Sequence, residues 1–135
     1  MMLFINLLNI MNLPPNSDLS KITFYDLKDV EIMCRGNKDL ILEMVKVFID
    51  QIPQFIKELN TAYLADDIVK IKNEVHKFKP TVHFFGAHKL KEQLLLLNEE
   101  AIGMLNNTEL KVIIDKCSLY ANEVINGLKN DFKIQ

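Results

Sequence analysis

The sequence contains no tryptophan, and its 135 residues include only four glycines and four prolines. So little turn-forming material argues against a fold of many short strands joined by tight turns. The two cysteines, Cys34 and Cys117, are far apart and belong to no C-x-x-C pair, so they fit a reducing compartment better than a disulfide framework. Because 49% of the residues are hydrophobic, the chain can bury one substantial core, and we expect a single domain.

The apolar start of the sequence does not have the features expected of a targeting or membrane-spanning segment. Its first thirteen residues, MMLFINLLNIMNL, are apolar, but they carry no basic n-region and no small-residue cleavage site, and they are too short to cross a bilayer. LPPNS, residues 13–17, has the composition of a linker. We therefore expect an apolar arm and linker over residues 1–19, a helical domain over residues 20–135, no membrane association and a cytoplasmic location.

Charge is distributed unevenly along the chain. The net charge of −2 argues against general affinity for nucleic acid. Between residues 68 and 91, however, six lysines stand against one acid, which gives this stretch +5 and leaves −7 for the rest. There is no G-x-x-x-x-G-K-[ST] motif, glycine-rich lid or acidic cluster near the histidines, so we expect neither an ATP site nor a bound metal of the chain's own.

Capping residues mark where helices are predicted to begin. Thr23, with Asp26 three residues later, resembles a capping box that opens a short helix fading near Cys34. Asn37 is the predicted cap of the next helix, which contains Pro53, and Thr108 is the predicted cap of the last. The helix between residues 68 and 85 has two candidate caps, the aspartates at positions 66 and 67.

Apolar residues then recur in steps of three and four along four segments, which is the period of a helix with one buried face. Because short connections make consecutive helices antiparallel neighbours, the predicted fold is all-α, an antiparallel four-helix bundle preceded by a short helix. The predicted inward residues are, helix by helix, Ile41, Val45, Phe48, Ile52, Phe55 and Leu59; Ile68, Ile71, Val75, Phe78, Val82 and Phe85; Ala87, Leu90, Leu94, Leu97, Ala101 and Met104; and Leu110, Ile113, Cys117, Tyr120, Val124 and Leu128.

His76 lies away from this inward stripe. At about 100° per residue it falls roughly 130° from the centre of the buried face, so it should point to solvent. Lys72 and Lys79 lie about one turn to either side of it, and Lys77 is next in sequence. Pro80 lacks the backbone N–H that would otherwise donate a hydrogen bond to the carbonyl oxygen of His76. We therefore expect a bent or loosened backbone at His76.

Taken alone, an exposed histidine among lysines is typical of an ordinary surface residue. His83 lies about 10 Å further along the helix axis, too far to share a metal with His76. His83 and His88 are therefore expected to be surface or edge residues.

The run VHKFKPTVHFFGAHKL, residues 75–90, closely resembles the signature of histidine phosphotransfer (Hpt) domains, the intermediates of multistep phosphorelays. That signature is a histidine, two further residues, a lysine, a glycine or proline, a serine or threonine, and a glycine ten positions after the histidine. Phe78 stands where leucine is usual, and Pro80 where glycine is commoner. The likeness covers roughly residues 20–130, including FIDQIPQFIKEL at 48–59. The residues that match the signature are His76, Lys79, Pro80, Thr81 and Gly86.

The resemblance implies a mainly antiparallel four-helix bundle with an exposed phosphoacceptor, His76, and a phosphate-facing cation, Lys79. It also places Asn98 where relatives often carry a polar side chain near the histidine. A neutral imidazole is a nucleophile able to attack the acyl phosphate of an aspartate, and lysines stabilise the phosphoryl charge as it develops. The supporting positions are Lys72, Lys77, Pro80, Thr81, Gly86 and Asn98.

The partners that the resemblance implies are response-regulator receiver domains and a hybrid sensor histidine kinase. The receiver would bring the aspartate and Mg²⁺, and would dock on a mixed apolar and polar surface around His76. The chain would then be a monomeric phosphoryl carrier with no cofactor of its own, rather than an enzyme with an ATP site.

Two other functions are compatible with parts of the sequence. The dimerising region of a sensor kinase also carries a histidine and a nearby proline, but that proline usually comes five residues later and an acid follows the histidine. In this sequence Pro80 comes four residues after His76, and the residue directly after His76 is the basic Lys77. The other alternative is a helical interaction module without phosphotransfer, because a bundle can be stable without any function for its exposed histidine.

Overall fold

The computed structural model describes residues 24–98 and 100–135. These residues form five α-helices and one short 3-10 helix, Ile102–Met104, without any strand in the described ranges. The apolar arm and linker predicted for residues 1–19 lie outside this part of the chain. The α-helices are α1, Lys28–Met33; α2, Lys38–Leu64; α3, Ile68–Phe84; α4, His88–Leu96; and α5, Asn107–Phe132.

The four longer helices surround one core. Helix α2 packs against α3 and α5, and α4 packs against the same two helices from the other side. The connections from α2 to α3 and from α3 to α4 are only three residues long, so consecutive helices reverse direction. The prediction of an all-α helical bundle preceded by a short helix is therefore confirmed.

Aromatic rings fill the space between α2 and α3. Phe48 is fully buried and stacks on Phe85, with ring centroids 4.0 Å apart. Phe55 stacks on Phe78 at 4.5 Å. Every residue of the stripe predicted for α2 is buried, and so are most residues of the stripe predicted for α3. This packing holds α3 in place along its inner face and leaves its outer face available for a site.

The predicted helix starts are partly right. Asn37 and Asp67 each accept a hydrogen bond from the backbone N–H three residues later, as caps do. The first helix begins at Lys28, later than predicted, and Asp26 accepts a hydrogen bond from the Lys28 N–H just before it. Thr23 lies outside the described residues.

The cap predicted for the last helix is wrong. Asn106, and not Thr108, is the N-cap, and it forms a reciprocal capping box with Glu109. Because each partner of the box satisfies a backbone N–H that would otherwise be unpaired, the start of α5 is determined by these two residues.

The fourth helix is shorter than predicted. It ends at Leu96, and Met104, expected to face inward, is 86% exposed. Asn98 provides a physical reason, since its Oδ1 accepts from the Ala101 N–H at 2.7 Å and offers the backbone an alternative to helical bonding. The chain then turns, and Ile102 enters the core in place of Met104.

The segment that precedes α1 crosses the end of the bundle near the turn between α3 and α4. The buried Tyr25 donates a hydrogen bond to Asp131 of α5, and burial together with this carboxylate raises the pKa of Tyr25. The backbone of Asp26 passes directly over Gly86. This crossing anchors the end of α3 that follows the histidine. Within the described ranges, no helix is both long enough and apolar enough to span a bilayer.

Candidate functional site

His76 lies near the middle of α3, on the face that the core does not cover. The helix buries Ile71, Val75 and Val82, which follow one another at helical spacing. His76 lies about 100° around the helix from Val75, and its side chain is exposed. The ring forms no hydrogen bond with any residue that the structure describes. The imidazole can therefore reach a partner without first leaving another contact.

His76 lines a depression of about 350 Å³ between α3 and the turn that follows α4. Four of the residues singled out from the sequence share this depression. Helix α3 supplies three of them, and the turn supplies the fourth. These four residues are Lys72, His76, Lys79 and Asn98.

Sequence reasoning missed four other residues that line the depression. Val69 and Asn73 lie seven and three residues before His76, so helical spacing alone could have placed them on its face. Val75 and Leu97 were predicted only as core residues, and they form the apolar floor. The proximity of Leu97 could not be read from the spacing, because it depends on how α4 packs against α3.

The described lining of the depression is positively charged. Among the residues that the structure describes, it contains two lysines and no carboxylate. Lys72 and Lys79 are half-buried, and neither pairs with an acid among the described residues. Because an ammonium group without a partner attracts anions, the site is suited to a negatively charged group attached to His76.

Other lysines of α3 point to a different side. Lys70 forms an ion pair with Glu58 of α2 at 2.8 Å; the hydrogen bond between them lowers the pKa of the carboxyl group and raises that of the ammonium. Lys77 lies 3.6 Å from Glu74 and lines a groove between α2 and α3, not the depression around His76. The structure therefore separates Lys77 from Lys72 and Lys79.

Asn98 is held in a defined orientation. Because its Oδ1 accepts from the Ala101 N–H at 2.7 Å, the side-chain oxygen is occupied and the amide nitrogen remains as the donor. This nitrogen belongs to a residue that lines the depression. Asn98 can therefore donate a hydrogen bond to an acceptor in the site.

The remaining positions of the signature lie outside the depression. Pro80 and Thr81 line an apolar groove of about 490 Å³ between α2 and α3. The helix continues through Pro80 to Phe84. Gly86 lies in the turn after α3 with φ +61°, a backbone conformation that favours glycine. None of these three residues lines the depression around His76.

The other two histidines are engaged in local contacts. Nδ1 of His83 accepts a hydrogen bond from the Lys91 ammonium at 2.8 Å. His88 lies 3.1 Å from the carbonyl oxygen of Gly86 through its Nδ1. Both are exposed, as expected. In the described part of the chain, no group of three or more histidine, cysteine or acidic side chains is arranged to hold a metal ion.

Comparison with protein families identifies the family to which the chain belongs. The family model of the Hpt domain matches residues 43–115, more than half of the chain. The chain belongs to the Hpt domain family. The matched range of this Hpt domain begins within α2, includes all of α3 with His76, and ends within α5.

Comparison with curated proteins and with solved structures gave no match. Hpt domains are phosphocarrier modules of phosphorelays and have no catalytic site of their own. Membership of the family thus agrees with the resemblance seen in the signature around His76.

Proposed function

We propose that this Hpt domain accepts a phosphoryl group on His76 from the phospho-aspartate of one receiver domain and passes it to another receiver. The observation that carries the proposal is the exposed imidazole of His76 in a depression whose described lining includes Lys72 and Lys79 and no carboxylate. Lys79 also occupies the lysine position of the family signature. We assign to it the stabilisation of the phosphoryl oxygens.

The chemistry needs few groups from this chain. A ring nitrogen of His76 attacks phosphorus through its lone pair, while the bond between phosphorus and the aspartate carboxylate breaks. Because the transition state spreads charge over the phosphoryl oxygens, catalysis consists mainly of positioning and charge stabilisation. The ammonium of Lys79 and the side-chain amide of Asn98 are available for that stabilisation.

The partner must supply the rest of the site. We propose that the receiver brings the acyl phosphate and the Mg²⁺ ion, and that a hybrid sensor histidine kinase is the ultimate source of the phosphoryl group. The exposed position of His76 supports this division, since half of the reacting groups have to arrive on another protein. We expect the carrier to be monomeric and cytoplasmic.

An apolar groove next to the histidine supports a docking role. It lies between α2 and α3, and Pro80, one turn after His76, forms part of its wall. Leu40 and Val47, on the rim, are 42% and 54% exposed. We propose that the receiver covers this groove while its aspartate approaches His76, because burial of these exposed side chains would contribute to binding.

The test is phosphoryl transfer from a prephosphorylated receiver domain of the same cell, with Mg²⁺ present. We expect an acid-labile, base-stable label on the wild-type protein and none on His76→Gln. His83→Gln is the matched control, because His83 is also exposed and lies two turns later on the same helix. Circular dichroism should show that both variants remain helical.

Transfer that survives in His76→Gln would contradict the assignment of the phosphoacceptor. A folded wild-type protein that takes no label from any receiver of the cell, yet binds a receiver, would instead favour a helical interaction module. The apolar groove between α2 and α3 would then be its binding surface.

A further inference from the structure

We propose that Lys72 is a second phosphate-binding residue, so that a phosphoryl group on His76 is held between the ammonium groups of Lys72 and Lys79. The inference rests on the carrier function proposed above. It assigns a role at the same site to a lysine that precedes the histidine.

The geometry of α3 places the two lysines on one flank of His76. Lys72 comes four residues before the histidine and Lys79 three residues after it, which corresponds to rotations of about −40° and −60° from His76. Along the axis they lie about 6 Å before and about 4.5 Å after it. Both line the same depression as His76. A group attached to the imidazole therefore lies within reach of a flexible lysine side chain from either side.

Lys72 and Lys79 are also the two lysines of α3 that form no ion pair with a described acid. Lys70 is engaged by Glu58 at 2.8 Å and Lys77 is close to Glu74 at 3.6 Å, both on the α2 side of the helix. Lys72 has no such acid among the described residues. Among the described residues, acids thus pair with lysines on one flank of α3, and the flank of His76 keeps its positive charge.

The charge of the ligand requires more than one cation. A phosphoryl group carries about −1.5 to −2 near pH 7, so a single ammonium leaves it partly uncompensated. In the transfer step, a nitrogen–phosphorus bond forms and the bond to the aspartate oxygen breaks, with its electron pair leaving on the carboxylate. The ring proton is released to solvent. The doubly charged phosphoryl group that remains is balanced by Lys72 and Lys79 together.

The experiment compares Lys72→Gln with Lys72→Arg and with Lys70→Gln as matched control. Lys70→Gln removes the same charge from the same helix, but on the flank that faces α2. The rate of transfer from a phosphorylated receiver should fall about three- to tenfold in Lys72→Gln, because a charge-assisted contact is lost at a partly solvated site. Lys72→Arg and Lys70→Gln should stay within about twofold of the wild type.

A second readout uses protein phosphorylated chemically with phosphoramidate, in which ammonia is the leaving group and no receiver takes part. Phosphorus NMR then follows the second ionisation of the phosphoryl group as a function of pH. Loss of Lys72 should move this ionisation to higher pH, and the difference should shrink at high salt. A lysine with a purely structural role would leave the titration unchanged.

Equal behaviour of Lys72→Gln and Lys70→Gln in both measurements would overturn the proposal and leave Lys72 an ordinary solvated lysine. That result would still be compatible with a phosphorylated His76. If the wild-type protein took no phosphoryl group on His76 from either donor, the carrier function would fail, and the role of Lys72 with it.

Discussion

Replacing Gly86 with alanine tests how the end of the histidine helix is anchored. Gly86 has φ +61°, and a Cβ atom added there would lie 2.7 Å from the backbone nitrogen of Asp26 and 2.8 Å from its carbonyl carbon. Gly36 is the matched control. It has a similar φ of +72°, but an added Cβ would meet nothing within 4 Å.

The two substitutions share one cost and differ in another. A left-handed conformation costs an alanine about 1–2 kcal/mol, and this applies at both positions. At Gly86 the backbone of Asp26 must also move, which disturbs the neighbouring buried Tyr25. Loss of one large buried side chain from the core costs about 1.5–3 kcal/mol. We therefore expect Gly86→Ala to lower the free energy of unfolding by about 2.5–5 kcal/mol and Gly36→Ala by about 1–2 kcal/mol.

Urea unfolding, followed by circular dichroism, measures both values. A single domain of this size is suited to two-state analysis, and an unchanged slope m would show that the denatured state is comparable. Equal destabilisation of the two variants would refute the reasoning, because it would mean that the Asp26 backbone does not constrain Gly86.

Two further predictions concern α5. Asn106→Ala should lower the free energy of unfolding by about 1 kcal/mol in the same urea assay, because it removes the capping box that starts the helix, whereas Thr108→Ala should change it by less than about 0.5 kcal/mol. Burial raises the pKa of the Cys117 thiol to about 12, so at pH 8 only about one thiol in ten thousand would be ionised in the folded protein. In a Cys34→Ser background, Cys117 should therefore react with a thiol reagent far more slowly than the urea-unfolded chain does, and at a rate that rises with pH. Equal folded and unfolded rates would show that the thiol is not protected.

Much of the candidate site could be predicted because it lies on one helix. The positions of Lys72, His76 and Lys79 relative to one another follow from the rotation per residue, which is a local property of the backbone. The same periodicity predicted the buried faces of α2 and α3 correctly. The function was predicted separately, from the resemblance of residues 75–90 to the Hpt signature, because an exposed histidine alone does not indicate phosphotransfer.

Prediction was weaker where a side chain competed with the helix backbone. The helical pattern after His88 continued to Met104, but the hydrogen bond from the Ala101 N–H to Asn98 accompanies an earlier end to α4. Asn106 was similarly passed over in favour of Thr108, although the glutamate three residues after Asn106 was a usable signal of a capping box.

The sequence by itself determined the helical class, the inward stripes of α2 and α3 and the exposure of His76, because each depends on the local period of the chain. Tertiary structure decided which groups share the histidine's depression. The packing of α4 against α3 brings Asn98 and Leu97 beside it, and the acids Glu58 and Glu74 engage Lys70 and Lys77 on the side facing α2. The tertiary structure also explains the glycine at position 86. The backbone of Asp26, sixty positions earlier in the chain, approaches it too closely to leave room for a Cβ atom. Such contacts depend on which elements meet in space, and no local spacing specifies that.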